Sequence, residues 1–169
     1  MNLHVKMRGD RAALDWGAGA RHASIGPGGI AIKGGEGDGI TPRGRFPVRE
    51  IFYRADRIAK PKVQLPLRAI AETDGWCDAP NDPNYNRLVT LPYPASAERL
   101  WRDDGVYDIV VVLGHNDDPP VPGLGSAIFL HLCRPGFPPT EGCIAIERPE
   151  LEDLHATARP GDAVAIRAV

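Results

Sequence analysis

Glycine and proline occur along the whole chain and limit what it can fold into. The 19 glycines and 17 prolines account for 36 of the 169 residues, about a fifth against a usual share of roughly 12%. Glycine is entropically costly inside a helix and proline lacks the backbone N–H that a helix needs. The chain is therefore predicted to contain many turns and short elements, with little long helix.

The apolar segments between these turns have the length and pattern of β-strands. They cover residues 3–7, 46–52, 67–71, 106–113, 127–132, 143–146 and 163–168. Residues 107–113, YDIVVVL, are β-branched and almost continuously apolar. Such a run predicts a central strand that is buried on both faces.

Two segments have a helical pattern, residues 96–103 and residues 148–158. In the second, Pro149 suits the first helical position and acidic residues occupy the first turn. No long polar linker or repeat divides the chain, so residues 1–169 are predicted to form one domain. The economical fold is mostly β, a sandwich or barrel-like packing of two sheets.

Charge and apolar patterning exclude several classes of function. The 20 Lys and Arg against 22 Asp and Glu leave a net charge of -2, and without a basic run nucleic acid is not expected as a partner. No apolar stretch reaches the length of a membrane span, and the first residues lack a signal peptide pattern. The three cysteines are few and odd in number, unlike the even and dense set of a disulfide framework.

Two further motifs fail as cofactor or metal sites. The glycine-rich residues 26–39 lack both GK[ST] and a GxGxxG register that opens a helix. The oxygen-rich residues 78–86 have a proline where a calcium ligand is needed and lack the bidentate glutamate. Turns explain both segments better, and neither a cofactor nor a metal is expected.

The segment that carries chemistry is residues 125–146, in which one strand ends in His131 and the next begins at Cys143. A loop between neighbouring strands can fold back and place the thiol beside the imidazole. An adjacent imidazole can take the thiol proton and so activate a nucleophile. Gly142 permits close backbone approach to a substrate, and exposed N–H groups around Thr140 to Cys143, Gly142 included, could bind an oxyanion.

Two alternatives remain open at this point. Free cysteine is among the most buried residue types, and a histidine at a strand end is often a hydrogen-bonded core residue. A zinc site could also use His115, His131, Cys133 and Cys143, although their spacing matches no common zinc site.

GDGITPRGRF at residues 37–46, IFLH ending in His131 and TEGC ending in Cys143 together resemble the L,D-transpeptidase catalytic domain (YkuD) family of bacterial cell-wall enzymes. Further similarity to its compact branch lies in residues 75–87, 95–108 and 125–136. The resemblance implies a β-sandwich of mixed sheets with one or two short helices. It also implies Cys143 as the nucleophile and His131 as the general base, oriented by a backbone carbonyl just after it, with no cofactor.

The same resemblance implies a reaction on peptidoglycan or muropeptide stem peptides. The cysteine attacks the carbonyl before the terminal D-Ala of a tetrapeptide stem, releases D-Ala and leaves a thioester. Transfer to an amine crosslinks two stems or anchors a protein, whereas transfer to water makes an L,D-carboxypeptidase. If Met1 is the native start, a cytoplasmic carboxypeptidase of peptidoglycan recycling is expected. If an export signal is missing from this sequence, a transpeptidase of the periplasm or cell envelope is expected instead. A non-catalytic peptidoglycan-binding sandwich is a further alternative.

The motif around the nucleophile departs from the family pattern. Thr140 and Gly142 match it, but Glu141 stands where histidine is common, and Ile144 and Ala145 replace the usual polar follower. Glu141 is expected to face solvent or a cationic group, because its charge would otherwise raise the pKa of the thiol. Weaker candidates for substrate binding are His115, Arg134, Tyr85 and Asn86, with Trp76 as a possible cleft wall.

Overall fold

The computed structural model describes residues 2–8, 11–17 and 19–168. Within these residues the chain forms fourteen β-strands and one α-helix. Their order is β1 (Asn2–Arg8), β2 (Arg11–Asp15), β3 (Arg21–Ala23), β4 (Ile30–Ala31), β5 (Thr41–Pro42), β6 (Gly44–Tyr53), β7 (Leu67–Ala69), β8 (Asp74–Cys77), β9 (Leu88–Thr90), β10 (Ala97–Arg99), β11 (Ile109–Leu113), β12 (Phe129–Leu132), β13 (Ile144–Ile146), α1 (Arg148–Thr157) and β14 (Ala163–Arg167).

Most strands belong to one mixed sheet that nearly closes on itself. Its order is β13-β12-β11-β6-β14-β1-β2-β3, with β7 also paired to β6. The two ends meet in a short bridge, where the Ser24 N–H donates to the Ala145 carbonyl at 2.8 Å and the Ala145 N–H donates back at 2.9 Å. Closure of this kind satisfies backbone groups that open sheet edges leave unpaired.

Apolar side chains cover both faces of this sheet. Val111 of β11 belongs to one core together with Leu151 and Leu154 of α1. Val110, the next residue along, belongs to a second core with Trp76 of β8. Strand β8 lies at the centre of a separate three-stranded sheet, β10-β8-β9. The mostly β fold with mixed sheets is thus confirmed, and the central strand is buried on both faces as expected.

The predicted helix at residues 96–103 is wrong. Ala97–Arg99 instead forms β10 and pairs antiparallel with β8. An isolated helix of about two turns is marginal in water, whereas backbone pairing to an existing strand satisfies the same groups. The predicted helix at residues 148–158 is confirmed as α1. Among the described residues, no helix has the length and apolarity needed to cross a membrane.

Candidate active site

Strands β12 and β13 place His131 and Cys143 on the same side of the large sheet. The two strands pair in parallel, with His131 opposite Ala145. Cys143, just before β13, therefore lies beside Phe129. Residues two apart on a strand share a face, and both Phe129 and Cys143 belong to the second core. His131 and Cys143 both line a cavity of about 420 Å³, which we call the Cys143 cavity.

The Cys143 thiol is held by two backbone groups. The Phe129 N–H donates to Sγ at 3.3 Å, and the thiol donates to the Ala127 carbonyl at 3.1 Å. Cys143 is only 9% exposed. Burial and the nearby Glu98 charge raise the pKa of the thiol to about 12, although the Phe129 N–H acts in the opposite direction. The resting side chain is therefore a neutral thiol.

His131 is fixed in one tautomer by its own strand. Its Nδ1 lies 2.9 Å from the Leu132 carbonyl oxygen, which can only accept, so Nδ1 carries the proton. The backbone carbonyl implied by the family resemblance is therefore in place. Burial lowers the pKa of the imidazole to about 4. Neutral His131 thus leaves Nε2 free to accept a proton.

The turn before Cys143 is held by hydrogen bonds within the turn and to Ile25. The Thr140 N–H donates to the Ile25 carbonyl at 3.0 Å, and the Gly142 N–H donates to the Thr140 hydroxyl at 3.2 Å. That hydroxyl in turn donates to the Cys143 carbonyl at 2.6 Å. The Thr140 amide is thus bonded to the neighbouring Ile25 segment and the Gly142 amide to the turn itself, which differs from the expectation that N–H groups here could bind an oxyanion.

The weaker binding candidates divide into two groups. Arg134 lines the Cys143 cavity and forms an ion pair with Asp104 at 2.8 Å. His115, Tyr85 and Asn86 lie outside the lining of this cavity. Tyr85 and Asn86 are buried, and Nε2 of the His115 ring is 3.2 Å from the Leu124 carbonyl. These three side chains are therefore not placed to contact a ligand in this cavity.

Asn86 is a structural link behind the site. Its Oδ1 accepts from Trp76 Nε1 at 2.9 Å and from the Ala127 N–H at 3.0 Å. Its Nδ2 donates to the carbonyls of His115 and Asn116 at 2.9 and 2.7 Å. Because the Ala127 carbonyl accepts from the thiol, Asn86 holds the residue that positions Cys143.

Sequence reasoning missed most of the charged wall of the cavity. The lining includes the acidic side chains Glu36, Asp78, Glu98 and Glu141 and the basic side chains Lys33, Arg102 and Arg134. Glu141 is exposed, as expected, but its charge still contributes to the raised pKa of the Cys143 thiol. These residues come from distant parts of the chain, so local spacing gave no signal that they meet.

Tyr107 connects this wall to His131. Its hydroxyl donates to Glu98, and its ring centroid lies 5.2 Å from that of His131 in an edge-to-face contact. Burial raises the pKa of Glu98. The Arg102 guanidinium lies 5.2 Å from the centre of the Tyr107 ring. Tyr107 thus packs the imidazole from the side while its hydroxyl remains bonded.

Asp38, within the first motif of the resemblance, organises the glycine-rich loop. It accepts hydrogen bonds from the Lys33 ammonium and from the N–H groups of Gly34, Gly35 and Ile40. Burial alone would raise its pKa, but these hydrogen bonds outweigh burial and lower the pKa to about 2. The loop thereby fixes Lys33 in the cavity wall.

The other cysteines stand apart from this arrangement. Cys77, Cys133 and Cys143 are all free thiols, and neither Cys77 nor Cys133 lines the cavity. In the part of the chain that the structure describes, no group of three or more His, Cys, Asp or Glu side chains is placed to hold a metal ion.

The chain matches a known protein family. Residues 3–166 match the family model of YkuD, the L,D-transpeptidase catalytic domain. No significant match was found among curated proteins or among solved structures.

Proposed function

Because the chain belongs to the L,D-transpeptidase catalytic domain family, whose members act on peptidoglycan, we propose that it is a cysteine acyl-transfer enzyme for stem peptides. Its substrate is a tetrapeptide stem, and the bond attacked precedes the terminal D-Ala. The observation that carries the proposal is the shared cavity of Cys143 and His131, with Nδ1 of His131 bonded to Leu132 so that Nε2 serves as the base.

The first half of the reaction forms a thioester. The Cys143 thiol leaves the Ala127 carbonyl, and its sulfur attacks the substrate carbonyl carbon while its proton moves to Nε2 of His131. The tetrahedral intermediate then collapses, the carbon–nitrogen bond breaks, and His131 returns the proton to the departing D-Ala amine. Since the thiol and the imidazole are both neutral at rest, proton transfer accompanies attack instead of preceding it.

In the second half, we propose that water is the acceptor. His131 takes a proton from water as its oxygen attacks the thioester, and the proton passes to the departing sulfur. The cavity of about 420 Å³ lies within the range of pockets that hold one small ligand, and we assign it to one stem end. A carboxypeptidase of this kind would act on released muropeptides in peptidoglycan recycling.

The test is mass spectrometry of a disaccharide-tetrapeptide incubated with the enzyme, with and without an excess of a free D-amino acid. We expect tripeptide and free D-Ala in both reactions. Cys143→Ala should abolish the product, whereas Cys133→Ala, which removes a thiol outside the cavity, should not. Exchange of the terminal residue, or formation of a crosslinked dimer, would show that the enzyme is a transpeptidase and not a carboxypeptidase. Turnover that survives in Cys143→Ala would overturn the mechanism.

A further inference from the structure

A second cavity lies behind the loop that joins His131 to Cys143. It has a volume of about 480 Å³, and His22, Ser24, Pro27, Phe137 and Pro139 are among its lining residues; we call it the Ser24 cavity. Pro139 lines both cavities. The main chain of Ser24 is bonded to Ala145, two residues after the nucleophile. The Ser24 cavity is therefore built against the back of the active site.

The chemistry of the two cavities differs sharply. The wall of the Cys143 cavity carries charges of both signs, whereas none of the described residues lining the Ser24 cavity is Asp, Glu, Lys or Arg. Its wall combines aliphatic and proline surface with an aromatic pair, since the rings of His22 and Phe137 meet edge to face at 5.3 Å. Such a lining suits a ligand that is uncharged but polar.

Two local features are unexplained by folding alone. Ser24 is 5% exposed, and its hydroxyl has no hydrogen-bond partner within the described chain, which is unfavourable for a buried polar group. Phe137 has a φ of +53°, a conformation rare for a bulky side chain. Residues held in such conformations cluster at ligand clamps. Both features occur in the wall of the same cavity.

We propose that the Ser24 cavity is a saccharide subsite, in which the Phe137 ring packs against a sugar face and the Ser24 hydroxyl bonds a sugar oxygen or acetamido group. This inference rests on the proposed function, because peptidoglycan joins charged stem peptides to largely uncharged N-acetylated sugars. The stem occupies the charged Cys143 cavity, and the sugar occupies the uncharged Ser24 cavity. The enzyme then prefers sugar-linked stems to free peptides.

The first test measures sugar binding without catalysis. The Cys143→Ala protein is titrated with N,N′-diacetylchitobiose, an uncharged N-acetylated disaccharide, and backbone amide shifts are followed by NMR, with cellobiose as the control that lacks acetamido groups. We expect diacetylchitobiose to shift the amides of His22, Ser24 and Phe137. Phe137→Ala should weaken binding about tenfold or more, as removal of an aromatic anchor does, whereas Leu124→Ala, at an exposed site outside the cavity, should not.

The second test compares substrates. The ratio of kcat/KM for a disaccharide-tetrapeptide to that for the free tetrapeptide should exceed one in the wild type and fall towards one in both Ser24→Ala and Phe137→Ala. If the Ser24 cavity binds the sugar of the donor substrate, a free glycan fragment should inhibit turnover of the disaccharide-tetrapeptide. It should not inhibit turnover of the free tetrapeptide. Sugar binding without any turnover would leave this inference standing and remove the proposed function. Turnover with equal ratios, or shifts confined to residues of the Cys143 cavity, would overturn the subsite.

Discussion

At the scale of single residues, the pKa values of Cys143 and His131 predict the pH dependence of the reaction. The thiol pKa is raised to about 12 and the imidazole pKa is lowered to about 4. His131 can act as a base only while it is neutral, so kcat/KM should fall as the pH drops through about 4. An ordinary histidine would give this loss near 6.5. The acid limb of the kcat/KM profile measures the free enzyme.

The acid limb could also reflect protonation of substrate carboxylates, and an NMR titration of the His131 ring without substrate distinguishes the two. Its midpoint should lie well below 6.5, and no Cys143-dependent thiolate absorbance should be present at neutral pH. The opposite result, a thiolate at neutral pH together with a charged imidazole, would establish a preformed ion pair and contradict the neutral resting state.

Tyr107 tests whether the base is positioned by its neighbours. In Tyr107→Phe the ring that packs on His131 remains, but Glu98 loses the hydroxyl that donates to it. We expect a loss of about 1–2 kcal/mol in unfolding free energy with most turnover retained. Tyr107→Leu removes the edge-to-face contact, and kcat should fall by about tenfold to a hundredfold as geometry loosens, with little change in KM. Equal kcat values for the two variants would exclude a positioning role.

At the scale of elements, the turn that leads into β13 depends on Gly142. Its φ is +129°, and a Cβ there would lie 2.9 Å from the Ile40 carbonyl oxygen. Gly142→Ala therefore combines a strained backbone, at about 1–3 kcal/mol, with a steric clash that displaces Cys143. We expect lower stability in urea unfolding and strongly reduced turnover.

The matched control is Gly123→Ala, because Gly123 also has a positive φ, +79°, but open space around it. Gly123→Ala should lose only the unfolding free energy that the strained backbone costs, and it should keep its activity. Similar losses in the two variants would mean that the approach of Gly142 to Ile40 has no special role.

The elements also show which sequence signals are sufficient. β11 was predictable because β-branched residues favour a strand and a continuous apolar run requires cover on both faces. Helix α1 was predictable from Pro149 and its apolar spacing. β10 was not, because three residues with charged Glu98 and Arg99 become a strand only through pairing with β8. Short strands defined by their partner carry little signal of their own.

At the scale of the whole molecule, the cavity contains residues that the sequence predicted and residues that it did not. That His131 and Cys143 line one cavity was predictable, because adjacent strands carry them and a short loop joins them. Lys33, Glu98 and Tyr107 reach the cavity through long-range packing, which one sequence does not reveal. The reverse holds for Asn86 and Tyr85, whose polarity suggested substrate contact while burial gives them structural roles.

Asn86 joins the small sheet to the loop before β12, so it should control global stability. Asn86→Ala leaves Trp76 Nε1, the Ala127 N–H and two carbonyls without their partner. Each unpaired buried group costs about 1–3 kcal/mol, so unfolding free energy in urea should fall by at least about 3 kcal/mol.

The control for this prediction is Asn84→Ala, because Asn84 is exposed and its side chain bonds the Tyr93 hydroxyl at 2.8 Å. A surface substitution of this kind should cost less than about 1 kcal/mol. Turnover of Asn86→Ala should also fall, since the Ala127 carbonyl that accepts from the thiol loses its anchor. A variant with normal stability and a raised KM would instead return Asn86 to the role of a substrate contact.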